Sequence, residues 1–251
     1  MTYKVDEQLA GYPPIEAAPI AAPAALNLLP LTPGFLVPAE DRVWGPGEFV
    51  FARANGAIRQ YGLCVMTPVW DAANLCYTVN MTEAPNTANL GRPVFVAQAA
   101  GAMAAGQYGW FMSSGITPVN CAASVAADTA WGIGGAGQGG AVSAGKSILN
   151  SRIVTAATQT VIKAALRGAI GDTKIEVANT DGWFVGGYLS GAGVAAGATI
   201  TSIDPLGKYV NASAVHTGAL DGVNVTVTYN NAAIFYNVAV LNRAGAQGPI
   251  T

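Results

Sequence analysis

Glycine and proline interrupt this chain so often that it has little room for a long helix. Of its 251 residues, 31 are glycine and 14 are proline. Glycine favours turns, and proline removes a backbone donor and breaks helix interiors. Between them lie short runs with alternating apolar side chains, such as EFVFARA (48–54) and VNVTVTY (223–229). Short alternating runs separated by turns are typical of β-sandwiches and β-barrels, so the sequence predicts an all-β fold.

Three regions of the chain differ in proline content, in the length of their predicted strands and in the size of the apolar side chains. Residues 1–46 hold eight prolines together with many large apolar side chains, which predicts an extended N-terminal arm; a strand packed on its own domain is the alternative. Residues 169–230 carry shorter strands than the region before them. The predicted strand IFYNVAVL (234–241) again has the larger apolar side chains seen before residue 168, and it needs a strand to pair with. We therefore predict a β-barrel or sandwich core domain, 47–168 plus 231–251, with 169–230 as a small inserted β-domain. Two domains in series are the alternative.

Local signals inside the core domain predict particular elements. The turn signal at Asn55-Gly56 predicts a hairpin between strands 48–54 and 57–67. Residues 97–105 fit a short helix that Gly101 weakens. We expect two short strands at 107–113 and 118–122, since Gly115 falls between them.

Charged residues make up only 10% of the chain, against about 25% in an average soluble domain. Such a surface suits a chain that is covered by other copies of itself or by a partner, because interface centres are depleted of charge. A secreted protein with an uncharged polar surface is the alternative. The basic residues are scattered, so we expect no nucleic-acid partner. We also expect no membrane span and no secretory leader, because prolines interrupt the apolar stretch 17–37 and the first residues lack a leader pattern.

Residues 131–147, WGIGGAGQGGAVSAGKS, contain both G-x-G-x-x-G and the phosphate-loop pattern G-x-x-x-x-G-K-S. A phosphate loop needs an apolar strand before it and a helix after it, whose N-terminal N–H groups face the phosphates. Here GIGGAGQG precedes Gly140, and a run rich in β-branched residues follows Ser147. We therefore expect no nucleotide or other cofactor, and interpret the stretch as a loop where backbones pass closely. Lys146 is then a solvated or interfacial charge.

The reactive residue types form no catalytic or metal-binding pattern, and we expect that the chain is not an enzyme. The single histidine, His216, lies in a turn-rich piece, and Cys64, Cys76 and Cys121 lack metal-ligand spacing. We expect free buried thiols, which suit a reducing cytoplasm, with a Cys64–Cys76 disulfide as the alternative. A pair of carboxylates distant in sequence, as in a glycosidase, stays open.

Aromatic residues cluster in sequence around Asp181. Trp183, Tyr188 and Tyr209 could form a platform for a sugar. The alternative is that these aromatic side chains form the core of the small domain.

Two segments resemble known phage protein families. Residues 97–146, which include AQAAGAMAAGQYGWFMSSG and GGAVSAGK, resemble the Ala/Gly-rich β-barrel core of tailed-phage head decoration (cement) proteins. Residues 171–204, GDTKIEVANTDGWFVGGYLSGAGVAAGATITSID, followed by VNVTVTY, resemble a small β-module of phage structural and tail-associated proteins. The resemblance implies a capsid-surface protein, often trimeric, that binds the major capsid protein and stabilises the head.

We therefore expect a viral structural protein of the virion, made in the host cytoplasm, whose partners are the major capsid protein and its own copies in a homotrimer. The arm supplies the expected capsid-contacting residues, which are Leu26, Leu28, Leu29, Leu31, Phe35, Leu36 and Trp44. The alternative is a tail- or fibre-associated adhesin that binds cell-surface glycans through Trp183 and Tyr188.

Overall fold

The computed structural model describes residues 4–5, 15, 17–21, 31–41, 44–71, 76–231 and 233–248. Every regular element in these residues is a β-strand, which confirms the all-β prediction. In these ranges there is no helix with the length and apolar character needed to cross a membrane. The chain divides into two compact units: an inserted unit, Ala157–Phe235, and a core unit made of the described residues up to Ala156 and from Tyr236 onward.

The strands are numbered in chain order. The first ten are β1 (Lys4–Val5), β2 (Leu36–Asp41), β3 (Gly45–Ala54), β4 (Leu63–Asp71), β5 (Cys76–Glu83), β6 (Val94–Ala97), β7 (Tyr108–Cys121), β8 (Gly132–Gly135), β9 (Gln138–Gly140) and β10 (Ile148–Thr155). The remaining seven are β11 (Thr160–Arg167), β12 (Lys174–Val177), β13 (Tyr188–Ser190), β14 (Ile200–Ile203), β15 (Tyr209–Ala212), β16 (Asn224–Thr228) and β17 (Phe235–Ala246).

Five strands of the core unit form a closed circuit of pairings. β3 pairs with β7, β7 with β6, β6 with β4 and β4 with β5, all antiparallel. β5 then returns to β3 through a short parallel pairing at Arg53–Asn80 and Ala54–Met81. The result is a small barrel whose interior is apolar. Its buried lining includes Val50, Ala52, Cys64, Met81, Phe95, Ala97 and Phe111.

The last strand returns to the core unit. β17 lies between β7 and β10, and its pairing with β10 runs from Ile148–Ala246 to Thr155–Val238. The chain therefore leaves the core sheet after β10 and re-enters it at the neighbouring strand. The inserted unit begins earlier than the predicted residue 169, because β11 pairs with β12 and β16 rather than with a core strand.

The inserted unit is a second small barrel. Its six strands follow the order β13-β16-β11-β12-β15-β14. A bridge between Tyr188 and Thr199, with a hydrogen bond from the Leu189 N–H to the Ala198 carbonyl at 2.8 Å, joins the first strand to the last. The buried interior includes Ile175, Val177, Trp183, Phe184, Ile200, Val210, Val225 and Val227.

Three local predictions in the core unit are wrong. β3 does not pair with β4, because the chain after Asn55 first bridges Ile58 to Met103 and then turns at Tyr61, whose φ is +52°. Residues 97–105 contain no helix. β7 runs continuously where two strands were predicted. Gly115 lies inside it with a φ of +124°, and a Cβ there would be 2.9 Å from the Cα of Gly47.

The described parts of the predicted arm pack on the core unit, as the alternative supposed. Ile15 is buried, and Ile20 exchanges two backbone hydrogen bonds with Tyr108 at 2.8 and 2.9 Å. β2 pairs with β3 over six residue pairs, and alternate side chains of β2, such as Val37 and Ala39, turn inward. Residues 22–30, which include Leu26, Leu28 and Leu29, lie outside the described residues.

Candidate functional site

An apolar cavity opens at one end of the five-stranded barrel. It has a volume of about 380 Å³, and its apolar lining includes Leu36, Val50, Met66, Val79 and Phe95. Val50 and Phe95 also belong to the barrel interior, and Met66 and Val79 pack against that interior. The cavity is therefore the open end of the barrel core, and we call it the barrel mouth.

β4 and β5 continue beyond the barrel as a two-stranded ribbon. β4 pairs with β6 only at residues 63–65, and β5 pairs with β3 only at residues 80–81. In the remaining described parts of the two strands, each pairs with the other as far as Asp71–Cys76. We call residues 66–71 and 76–79 the ribbon.

One face of the ribbon is apolar along its whole described length. Cross-strand partners in an antiparallel pair share a face, and the side chains alternate with period two. The pairs Pro68–Val79 and Trp70–Tyr77 therefore lie on the same face as Met66. We call these five side chains the ribbon face. Since Met66 and Val79 also line the mouth, the ribbon face continues the apolar lining of the mouth outward.

The ribbon face ends in an exposed aromatic pair. Trp70 is 51% exposed and Tyr77 is 70% exposed. Their ring centroids are 5.2 Å apart and the ring planes are inclined at 66°, an edge-to-face arrangement. Each ring therefore supports the other while both remain accessible to a partner.

The rim of the mouth carries a charge pair. The Arg243 guanidinium donates to the Glu48 carboxylate from Nε at 3.1 Å and from Nη2 at 2.9 Å. These hydrogen bonds from Arg243 hold the pKa of Glu48 below its usual value. The Ser113 hydroxyl donates to the Glu48 carbonyl at 3.2 Å. An apolar centre with a small polar rim is the arrangement expected of a protein-binding surface or ligand pocket.

The predicted capsid-contacting residues separate into three groups. Leu31 and Trp44 are buried, so they stabilise the core unit rather than present themselves to a partner. Phe35 and Leu36 are exposed, and Leu36 lines the mouth. Leu26, Leu28 and Leu29 lie outside the described residues.

The sequence interpretation missed the ribbon face. The one signal it offered was the alternation of Met66, Pro68 and Trp70 along a single strand, since a strand that stays apolar on one face needs something to cover that face.

The predicted sugar platform does not form around Trp183. This side chain is 1% exposed in the core of the inserted unit, and its indole N–H lies 3.3 Å from the Val161 carbonyl, to which it donates. Its ring faces are therefore not available for stacking on a glycan. Tyr188 and Tyr209 are half-buried, and the Lys174 ammonium lies 4.4 Å from the Tyr209 ring centroid. The burial of Trp183 agrees with the alternative that it belongs to the core of the small domain.

The glycine-rich stretch forms a hairpin, not the predicted loop. β8 and β9 pair through Gly132–Gly140 and Ile133–Gly139. A Cβ on Gly134 would lie 2.7 Å from the Gly139 carbonyl oxygen, which confirms that these glycines serve close backbone approach. After Lys146, which donates to Asn86 Oδ1 at 2.9 Å, the chain enters β10 where a phosphate loop requires a helix.

Two cysteine thiols of the core unit, those of Cys64 and Cys121, are unreactive by position. Cys64 and Cys121 are buried and free, and Cys64 pairs across the strands with Glu83, so the alternative of a Cys64–Cys76 disulfide is wrong. Burial raises the pKa of Cys64 well above its usual value and that of Cys121 to about 12, which keeps both thiols protonated. Within the described ranges, no three His, Cys, Asp or Glu residues are placed to hold a metal ion.

Comparison of the chain with protein-family models, with curated proteins and with solved structures gave no match.

Proposed function

We propose that the chain is a viral structural protein, a capsid decoration protein that binds the outer surface of a phage head and stabilises it. The observation that carries this proposal is the ribbon face, which leads from an apolar barrel mouth to two exposed aromatic rings and so supports a role as a subunit that associates with other protein chains. Contiguous exposed apolar surface marks sites of protein association. The low content of charged residues supports the same conclusion, since such a surface suits a subunit that is covered in an assembly.

The mechanism is burial rather than chemistry. The partners are the major capsid protein and other copies of this chain. A standard interface of about 800 Å² per partner, repeated around a shell, gives avidity even where one contact is weak. The compact β-units suit this role because a preformed surface loses little conformational entropy when it binds.

The undescribed part of the arm keeps its expected role as a capsid contact. Residues 22–30 place three leucines in a short segment between prolines. Deleting residues 1–40 would also remove most of β2 from the core unit, so substitution is the cleaner perturbation. The variant to make is Leu26→Ser with Leu28→Ser and Leu29→Ser. Leu206→Ser is the matched control, because Leu206 is an exposed leucine of the inserted unit.

The test is co-sedimentation of the purified chain with expanded empty heads, lacking this protein, of the virus that encodes it. We expect saturable binding by the wild-type chain and by the Leu206→Ser control. The triple variant should bind at least about 30-fold more weakly, the loss expected for removing a hot spot of 2 kcal/mol. Absence of wild-type binding would contradict the proposed function, and full binding by the triple variant would contradict the role of the arm.

A further inference from the structure

We infer that the barrel mouth is occupied by a second copy of this chain. Two ribbon faces pack against each other around a two-fold axis, so that Trp70 and Tyr77 of each copy enter the mouth of the other. This contact goes beyond the proposed function, because it names what fills the mouth and requires no capsid.

The chain is self-complementary at this face. It offers one apolar opening of about 380 Å³ and one projecting pair of exposed aromatic rings. Both features lie on the ribbon face, and Met66 and Val79 connect them. Met66 is unbranched and flexible, so the mouth can adapt its shape to an incoming ring.

The spacing along the ribbon fixes the symmetry. The strand advances four residues from Met66 at the mouth to Trp70 in the aromatic pair, which is about 13 Å at 3.3 Å per residue. A two-fold axis that lies in the plane between the two faces, perpendicular to the ribbon direction and level with Pro68, turns the second ribbon over and makes it antiparallel to the first. Each aromatic pair then lies over the other copy's mouth. Such an isologous contact closes on itself and gives a dimer rather than a fibre.

The two exposed rings supply part of the area that a stable contact needs. An aromatic side chain buries about 150–250 Å² in full, so the exposed fractions of Trp70 and Tyr77 together offer about 180–300 Å² per copy. Two copies thus supply about a third of the 1,200–2,000 Å² that a specific interface buries. Leu36, Pro68 and the lining of the mouth extend the contact beyond the two rings.

The polar rim allows two identical surfaces to approach. Identical charged groups that face each other across a symmetry axis repel, and this repulsion opposes many self-contacts. Here Glu48 and Arg243 neutralise each other through two hydrogen bonds within one copy. The rim therefore presents little net charge to its counterpart.

The first test is sedimentation equilibrium of the full chain in the absence of capsids. We expect a reversible monomer–dimer equilibrium, with the dissociation constant raised at least about 30-fold by Trp70→Ser combined with Tyr77→Ser. Val69→Ser is the matched control, because Val69 is 39% exposed on the opposite face of the same ribbon, and it should leave the constant within about twofold. A chain that stays monomeric, a species other than a dimer, or a dimer that the double substitution does not weaken would overturn the inference.

The second test locates the axis. In a Cys76→Ser background, Pro68→Cys places a thiol near the axis, where it meets its own counterpart. Mild oxidation should convert this variant to a disulfide-linked dimer, whereas Val69→Cys, on the opposite ribbon face, should stay unlinked. Equal cross-linking of both variants, or none with Pro68→Cys, would contradict the two-fold arrangement. A chain that dimerises in this way without binding heads would refute the proposed function and leave the inference standing.

Discussion

Gly139 is the position where one added methyl group has the clearest consequence. A Cβ here would lie 2.6 and 2.8 Å from two ring carbons of Trp131 and 2.9 Å from Cys121 Sγ. Both neighbours are completely buried, and the Trp131 indole N–H donates to Ser151 Oγ at 2.7 Å. Ordinary carbon contacts begin at about 3.5 Å, so in Gly139→Ala either the ring shifts by nearly 1 Å or the β8–β9 hairpin lifts away.

The cost of Gly139→Ala follows from that displacement. Overpacking a buried site typically costs about 1–3 kcal/mol, and shifting the indole also weakens a hydrogen bond worth about 1 kcal/mol. We therefore expect the free energy of unfolding of the core unit to fall by about 2–3 kcal/mol. Gly56→Ala is the matched control, because a Cβ at Gly56 has no heavy atom within 4 Å. This control should change stability by about 0.5 kcal/mol or less.

The assay is urea unfolding followed by tryptophan fluorescence. Each variant is made in a Trp183→Phe background, so that the four remaining tryptophans all report on the core unit. The midpoint for Gly139→Ala should fall while that for Gly56→Ala stays near the parent. Equal midpoints for the two variants would refute the packing of Gly139 on Trp131, and with it the hairpin interpretation of the glycine-rich stretch.

Two further predictions concern the architecture and the charged rim. Residues 157–235 can be excised by joining Ala156 to Tyr236 through a short glycine linker, and the remaining core unit should unfold cooperatively in calorimetry because β10 and β17 are paired neighbours. Truncation after Ala156 removes β17 and should abolish that transition. The opposite pattern would show that the unit is not an insertion. The hydrogen bonds from Arg243 lower the pKa of Glu48 in the folded protein from its usual 4.5. The stability that these bonds contribute is therefore present above pH 4.5 and is lost as the pH falls through the pKa of Glu48 in the folded protein. In Glu48→Gln, the urea midpoint should therefore decrease less than in the wild type as the pH is lowered below 4.5. The same decrease in both proteins would contradict this prediction.

Local patterns in the sequence identified strands better than their partners. Alternation located β3 and β16, and the bulky run at 234–241 pointed to a strand that rejoins the first sheet. β11 was assigned to the wrong unit because TVIKAALR has the same β-branched character as the core strands. Which sheet a strand joins depends on long-range register, and composition does not encode that register.

The wrong hairpin prediction and the missed ribbon face have the same physical origin. Asn55-Gly56 is a strong local hairpin signal, but the left-handed turn at Tyr61 redirects the chain so that β4 pairs with β5 and β6. Trp70 and Tyr77 each look like ordinary strand residues. They form a site only because their register pairs them and because the barrel pairing of β4 ends at Val65. Both facts are non-local.

The central claim, that this chain is an assembly subunit of a phage head, is tested most directly by electron cryo-microscopy of heads reconstituted with the purified protein. We predict regular additional density on the outer surface that accommodates the core unit and the inserted unit, contacts the major capsid protein, and is absent from heads that were not incubated with the chain. A reconstruction at matched resolution with no such outer density, from heads shown to be competent for decoration by their own native protein, would contradict the proposed function.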